Sequence, residues 1–148
     1  MQDDTINGGY YILLLCVNSP VNIEYSGTPY TIEKGLYAYI GSALKGLNKR
    51  IERHTAKSKK IHWHIDKLTV NENVKVLGAL TCITTLKGLE PCIASSLESM
   101  GYRGPPRFGS TDDRRALTHL FHVKDGCTID EAIIKLLSDT LKECCKST

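Results

Sequence analysis

The feature that most constrains folding is the apolar run Tyr10–Val17, rich in aromatic and branched side chains and closed by Asn18, Ser19 and Pro20. At about eight residues it falls far short of the roughly 20 that a membrane-spanning helix needs. Its composition predicts a largely buried β-strand. The next segments supply partners for it. Val21–Glu33 alternates around Ser26-Gly27-Thr28-Pro29 and predicts a hairpin, with Pro29 near a turn or sheet edge. Gly35–Gly41 predicts a third strand whose pleat sends Leu36, Ala38 and Ile40 to one side and Tyr37 and Tyr39 to the other.

Past Gly41 the apolar period changes. Leu44, Leu47, Ile51 and His54 share one stripe of a helix expected from about Leu44 to Ala56. Arg50 and Arg53 are a turn apart on it, and His54 is a full turn beyond Arg50, so their side chains can converge on one small site. A short helix is expected over Ile61–Leu68 and a strand over Val74–Thr84. Pro91 then opens a helix that turns Ile93, Ala94 and Leu97 inward and puts Glu90 at its N-terminus. After a Gly- and Pro-rich loop, Leu117–Val123 predicts another strand. An amphipathic helix from about Ile129 to Cys145 follows, with Thr128 and Glu131 as its capping box and Ile133, Leu136, Leu137 and Leu141 as its stripe. The fold class is α/β in the broad sense (α+β): one domain over residues 1–148, with a small mixed or antiparallel sheet flanked by helices.

Composition removes other classes. With 148 residues, 41% hydrophobic and 24% charged, the chain has enough core to fold without staples and is neither disordered nor fibrous. The acidic start, Asp3 and Asp4, is unlike a secretory signal, which predicts a cytoplasmic protein whose six cysteines are reduced. No Cys-x-x-Cys pair favours a zinc site. Cys144 and Cys145 are expected as one core-facing and one exposed thiol. The net charge of +3 is unevenly spread: residues 41–67 carry eight bases against two acids, beside His54, His62, His64 and Trp63. That composition suits a surface that meets polyanions, or else a solvated helix face.

Gly9-Tyr10-Tyr11 and Tyr39-Ile40-Gly41, each in a strand, are followed by Ser42-Ala43 and by Arg50 to His54 on a helix. This order of motifs resembles the GIY-YIG nuclease superfamily. Later stretches, His62–Asp66, Glu90–Cys92 and Phe108 to Phe121, look like its uncharacterised prokaryotic branch, found alone or fused to an endonuclease III type glycosylase. The resemblance covers about Gly9 to Val123 and leaves the C-terminal helix, residues 128–146, as an appendage. It implies a three-stranded antiparallel core sheet and a DNA endonuclease dependent on a divalent metal, magnesium or manganese. Repair or restriction would be its setting, with DNA and a DNA-repair protein as partners and no membrane. Residue by residue, Tyr11 and Tyr39 match the two motif tyrosines, Arg50 the catalytic arginine, His54 a histidine four positions later, and Glu90 the metal-holding glutamate. One extra residue between Gly41 and Arg50 makes Arg53 a competitor. The sequence departs from its branch at Asp113 and Arg115, where cysteines are usual, and lacks the late asparagine of many active members.

The chemistry asks for the same residue types. Phosphodiester hydrolysis needs an activated water and stabilisation of charge on the phosphoryl group and the leaving oxygen. A guanidinium fork such as that of Arg50 suits the phosphoryl oxygens. One carboxylate, Glu90, can hold magnesium that keeps several waters. A phenol is a poor base near neutrality, and His54 is the easier proton acceptor. Lys49, Arg53, Lys59, Lys60, His62, His64 and Ser110 are the expected nucleic-acid contacts, and Asp112 and His119 could close the site from the opposite side. His62, His64 and Asp66 could supply two metal ligands, but the favoured reading buries Trp63, hydrogen-bonds His64 and Asp66 in each other's neighbourhood and sets His62 against the substrate backbone. Without the paired motifs, Tyr11 and Tyr39 read first as core phenols, Arg50 as a surface charge and Glu90 as a favourable helix N-terminal charge. A module that binds nucleic acid without cutting it is the alternative function.

Overall fold

The computed structural model describes residues 7–110 and 118–146. Its elements are β1 (Gly9–Val17), β2 (Val21–Tyr25), β3 (Thr28–Ile32), β4 (Gly35–Ala43), α1 (Leu47–Thr55), α2 (His64–Thr69), β5 (Val74–Ile83), α3 (Glu90–Ser99), β6 (Leu120–Lys124) and α4 (Glu131–Cys145). Four strands form an antiparallel sheet in the order β5-β1-β4-β6, and β2 and β3 form a separate hairpin. The class is α+β, with an antiparallel sheet flanked by helices, as the hydrophobic pattern predicts.

Strand β1 is buried at every position because it lies inside the sheet and both of its faces are covered. Tyr11, Leu13, Leu15 and Val17 point into one layer, shared with Tyr37, the hairpin, Leu47 of α1, and Ile65 and Leu68 of α2. Tyr10, Ile12 and Leu14 point into the other, with Leu36, Ala38 and Ile40 of β4, Ile93, Ala94 and Leu97 of α3, and Leu137 and Leu141 of α4. The pleat predicted for Gly35–Gly41 is thus the division between the two halves of the core. Among the described residues no helix is long and apolar enough to cross a membrane.

Several boundaries differ from the expected ones, each for a local reason. Helix α1 starts at Leu47 because Gly46 takes a left-handed backbone (φ 69°) that interrupts any helix begun earlier. Strand β4 runs on to Ala43 instead, and Leu44, expected on the buried stripe, is 83% exposed. The cap of α4 is Asp130, whose carboxylate accepts the N–H of Ile133 at 2.9 Å, in place of Thr128. Helix α4 packs into the core through Leu137, Leu141 and Cys144.

All six cysteines are paired, which overturns the expectation of reduced thiols: Cys16–Cys127, Cys82–Cys145 and Cys92–Cys144. Cys144 and Cys145 both bind other elements, α3 and β5 respectively, so α4 is tied to the sheet and to its neighbouring helix. The partners are 111, 63 and 52 residues apart, and only the tertiary fold brings them together.

Candidate active site

Where β4 runs out and α3 begins, the surface holds a cleft of about 500 Å³ bounded by Tyr10, Ser42, Leu44, Arg50, Glu90 and the segment from Thr84 to Gly88. Ser42 joins its two charges. The Arg50 guanidinium donates to the Ser42 carbonyl at 2.8 Å, and the Ser42 hydroxyl donates to Glu90 Oε1 at 2.7 Å. The other oxygen of Glu90 lies 3.7 Å from Nδ1 of buried His119, and the carboxylate keeps a third of its surface (33%) open. Pro91 suits the first turn of α3, where the helix dipole favours an acid such as Glu90. The irregular wall is pinned in place: the Tyr10 hydroxyl donates to the Leu86 carbonyl (2.8 Å) and accepts the Leu89 N–H (3.3 Å), while Thr84 N–H bonds Gly8 (3.0 Å).

On the opposite face of the sheet, Tyr11 and His54 form a buried pair, Oη to Nε2 at 2.7 Å. Tyr11 stands opposite Gly41 in the register, and a Cβ built at Gly41 would overlap its phenol ring. Glycine there makes room for the tyrosine. Tyr39 lies edge-on to His54, with ring centroids 6.2 Å apart, and is partly exposed, whereas Tyr11 is 2% exposed. Burial raises both phenols well above their ordinary range, and the charges of Arg50 and Glu90 reach both of them. Burial, with Lys59 and then Arg53 and Arg50 nearby, lowers His54 to about 4 against the pull of Asp66. The imidazole is therefore neutral at pH 7, and its Nδ1 has no hydrogen-bond partner among the described residues.

That neutrality has a consequence for stability. The unfolded chain protonates its histidine below about pH 6.5 while the folded chain resists until about 4, so stability falls with acid across that window. The slope expected is up to about 1.4 kcal/mol per pH unit. Urea unfolding measured between pH 7 and 4 should show this loss in the native chain and a flatter profile in His54→Gln, and identical profiles would count against a buried neutral imidazole.

The expected nucleic-acid contacts divide into two groups. Lys49, Lys60 and His62 are exposed, and the His62 ring stands edge-on to Trp63 (4.5 Å). Arg53 is committed elsewhere: both its terminal nitrogens bind Asp66 at 2.7 and 2.9 Å, and it also donates to the Lys60 carbonyl. This pairing removes it as a competitor for the role of Arg50 and as a free phosphate contact. The Lys59 amine donates to the Arg53 carbonyl with 6% of the side chain exposed. His64 packs against Tyr25 and Phe108, and Ser110 is fully buried. Asp66 cannot serve a metal, because its oxygens are taken by Arg53 and by the N–H groups of His62 and Trp63. Trp63, expected inside, is 36% exposed and stacks with both Arg50 (4.6 Å) and Arg53 (4.8 Å). Asp112, Asp113 and Arg115 lie outside the described residues.

The residues singled out from the sequence missed Ser42 and Tyr10, both on the face that α3 covers. Carrying the β4 alternation past Gly41 would have placed Ser42 there, since it pairs with Tyr10. Among the described residues no three His, Cys, Asp or Glu side chains are grouped so as to hold a metal ion by themselves. The Glu90 carboxylate and the Ser42 hydroxyl do suit magnesium, which is commonly held by one or two carboxylates, waters and a substrate phosphate.

No curated protein and no solved structure matches the chain. A family model matches residues 10–142, from β1 into the last turns of α4, so that helix is part of the family's domain. The chain belongs to the family described as Domain of unknown function DUF123.

Proposed function

We propose that the protein is a metal-dependent endonuclease that hydrolyses phosphodiester bonds of DNA, the activity implied by its resemblance to the GIY-YIG nucleases. The observation that carries this reading is Ser42, which links a guanidinium and a carboxylate in the wall of one cleft. Arg50, fixed by the Ser42 carbonyl and by the face of Trp63, presents its remaining N–H groups to phosphoryl oxygens. Glu90, with the Ser42 hydroxyl beside it, would hold magnesium or manganese, which when bound stabilises the leaving oxygen. Tyr11 and His54 lie on the other face of the sheet, where their hydrogen bond anchors α1 and so positions Arg50. On this reading its partners are DNA and repair or restriction proteins.

The burial of Tyr11 favours a second reading, a module that binds nucleic acid without cutting it. One experiment separates the two. Supercoiled, linear and single-stranded DNA are incubated with and without magnesium or manganese, using the native chain and Glu90→Ala. Metal-dependent nicking by the native chain that is lost in the variant supports the endonuclease. Equal nicking by both places the activity elsewhere, and salt-sensitive binding without any nicking supports the module.

A further inference from the structure

We infer that the cleft takes an unstacked nucleotide, base included, so that single-stranded or locally opened DNA is its substrate in preference to intact duplex. The inference rests on the cleft being a phosphodiester site and adds what sits beside the phosphate. An anion site for a duplex backbone needs polar groups alone, yet this cleft is also lined by two apolar side chains with large open surfaces, Leu44 (83%) and Leu86 (41%). Neither is left open by chance of a mobile segment. Leu44 is set outside α1 by the left-handed backbone of Gly46, and Leu86 is anchored through its carbonyl by Tyr10 and through its N–H by the Thr84 hydroxyl (3.1 Å).

The remainder of the lining fits the same occupant. Arg50 and Lys87 offer positive charge to a phosphate, and Thr84 and Thr85 line the wall beside them. A volume near 500 Å³ lies within the range of pockets that hold small organic ligands, far more than a phosphate requires. A base paired in a duplex keeps its faces stacked on its neighbours, and only an unstacked one can lay a face on leucine side chains.

The lone tryptophan makes this measurable without cleavage. Trp63 stacks on Arg50, so its fluorescence reports a phosphate arriving at that guanidinium. The native chain, in chelator, is titrated with a short single strand, the matching duplex, and a strand of equal length whose sugars carry no bases. The base-bearing single strand is expected to bind about tenfold more tightly than either of the others. Leu44→Ser and Leu86→Ser, both at exposed positions, should each remove most of that preference. Equal binding of the base-bearing and base-free strands, or unchanged preference in both variants, overturns the inference. Metal-dependent cutting that persists without such preference would overturn this inference and leave the endonuclease standing, whereas base-selective binding with no cutting would do the reverse.

Discussion

Arg50→Ala is expected to lower the rate of metal-dependent DNA cleavage by roughly two to three orders of magnitude, the usual cost of deleting one preorganised charge donor at a developing anion. The guanidinium is held on two sides before substrate arrives, by the Ser42 carbonyl at 2.8 Å and by the indole of Trp63 at 4.6 Å. It therefore loses little freedom on meeting a phosphate, and its worth lies in that preorganisation. Arg50→Lys should recover only a small part of the loss, because an ammonium keeps the charge but lacks the planar fork that can bond Ser42 and a phosphoryl oxygen together. Stability should change little in either variant, since Arg50 is partly exposed and makes no ion pair among the described residues. Single-turnover rates and urea midpoints measured side by side give the answer. A rate unchanged in Arg50→Ala, or one that falls only in step with stability, would remove this residue from the chemistry.

The parts of the fold legible in the sequence were those set by local periodicity. Gly9–Val17 and Val74–Ile83 carry β composition, and α3 and α4 carry apolar stripes and first-turn signals, so both type and position could be read there. The start of α1 was misread because Leu44 fits the stripe arithmetically, while the backbone at Gly46 decides that the helix begins later. Pairings between distant segments were not legible at all. No spacing announces that Cys92 meets Cys144, or that Arg53 is spent on Asp66, thirteen positions along the chain. The site was half legible for the same reason. Arg50 and His54 share a helix and their proximity follows from its period, yet their side chains serve different places, the cleft and the buried phenol. The face of Ser42 follows from the β4 alternation, but its meeting with Glu90, 48 positions along the chain, depends on how α3 packs on the sheet.

Asp66→Ala is expected to cost about 2–3 kcal/mol of stability, less than for a wholly buried ion pair because the Arg53 left behind is 29% exposed. The carboxylate has no exposed surface and accepts four hydrogen bonds: two from Arg53 and one each from the N–H groups of His62 and Trp63. Burial acts to raise its pKa, but the Arg53 contact and the two backbone bonds outweigh that and hold it at about 2. A carboxyl lowered from its unfolded value stabilises the fold above about pH 4, and that contribution fades as acid brings the pH down towards 2. Asp66→Asn keeps the shape and some acceptors without the charge, so it should lose less than the alanine variant and should lack this part of the acid transition. Paired with Arg53→Ala, the alanine variant should cost less than the sum of the two single losses, because each deletion already strands the other partner. The effect should also reach the cleft: Arg53 and Arg50 share the indole of Trp63, so freeing Arg53 loosens the face on which Arg50 rests. Urea titrations of Asp66→Ala, Asp66→Asn, Arg53→Ala and the double variant, with Trp63 fluorescence as the signal, test both halves at once. A loss below about 1 kcal/mol for Asp66→Ala would mean that water replaces the carboxylate at no cost and that the pair is a surface contact.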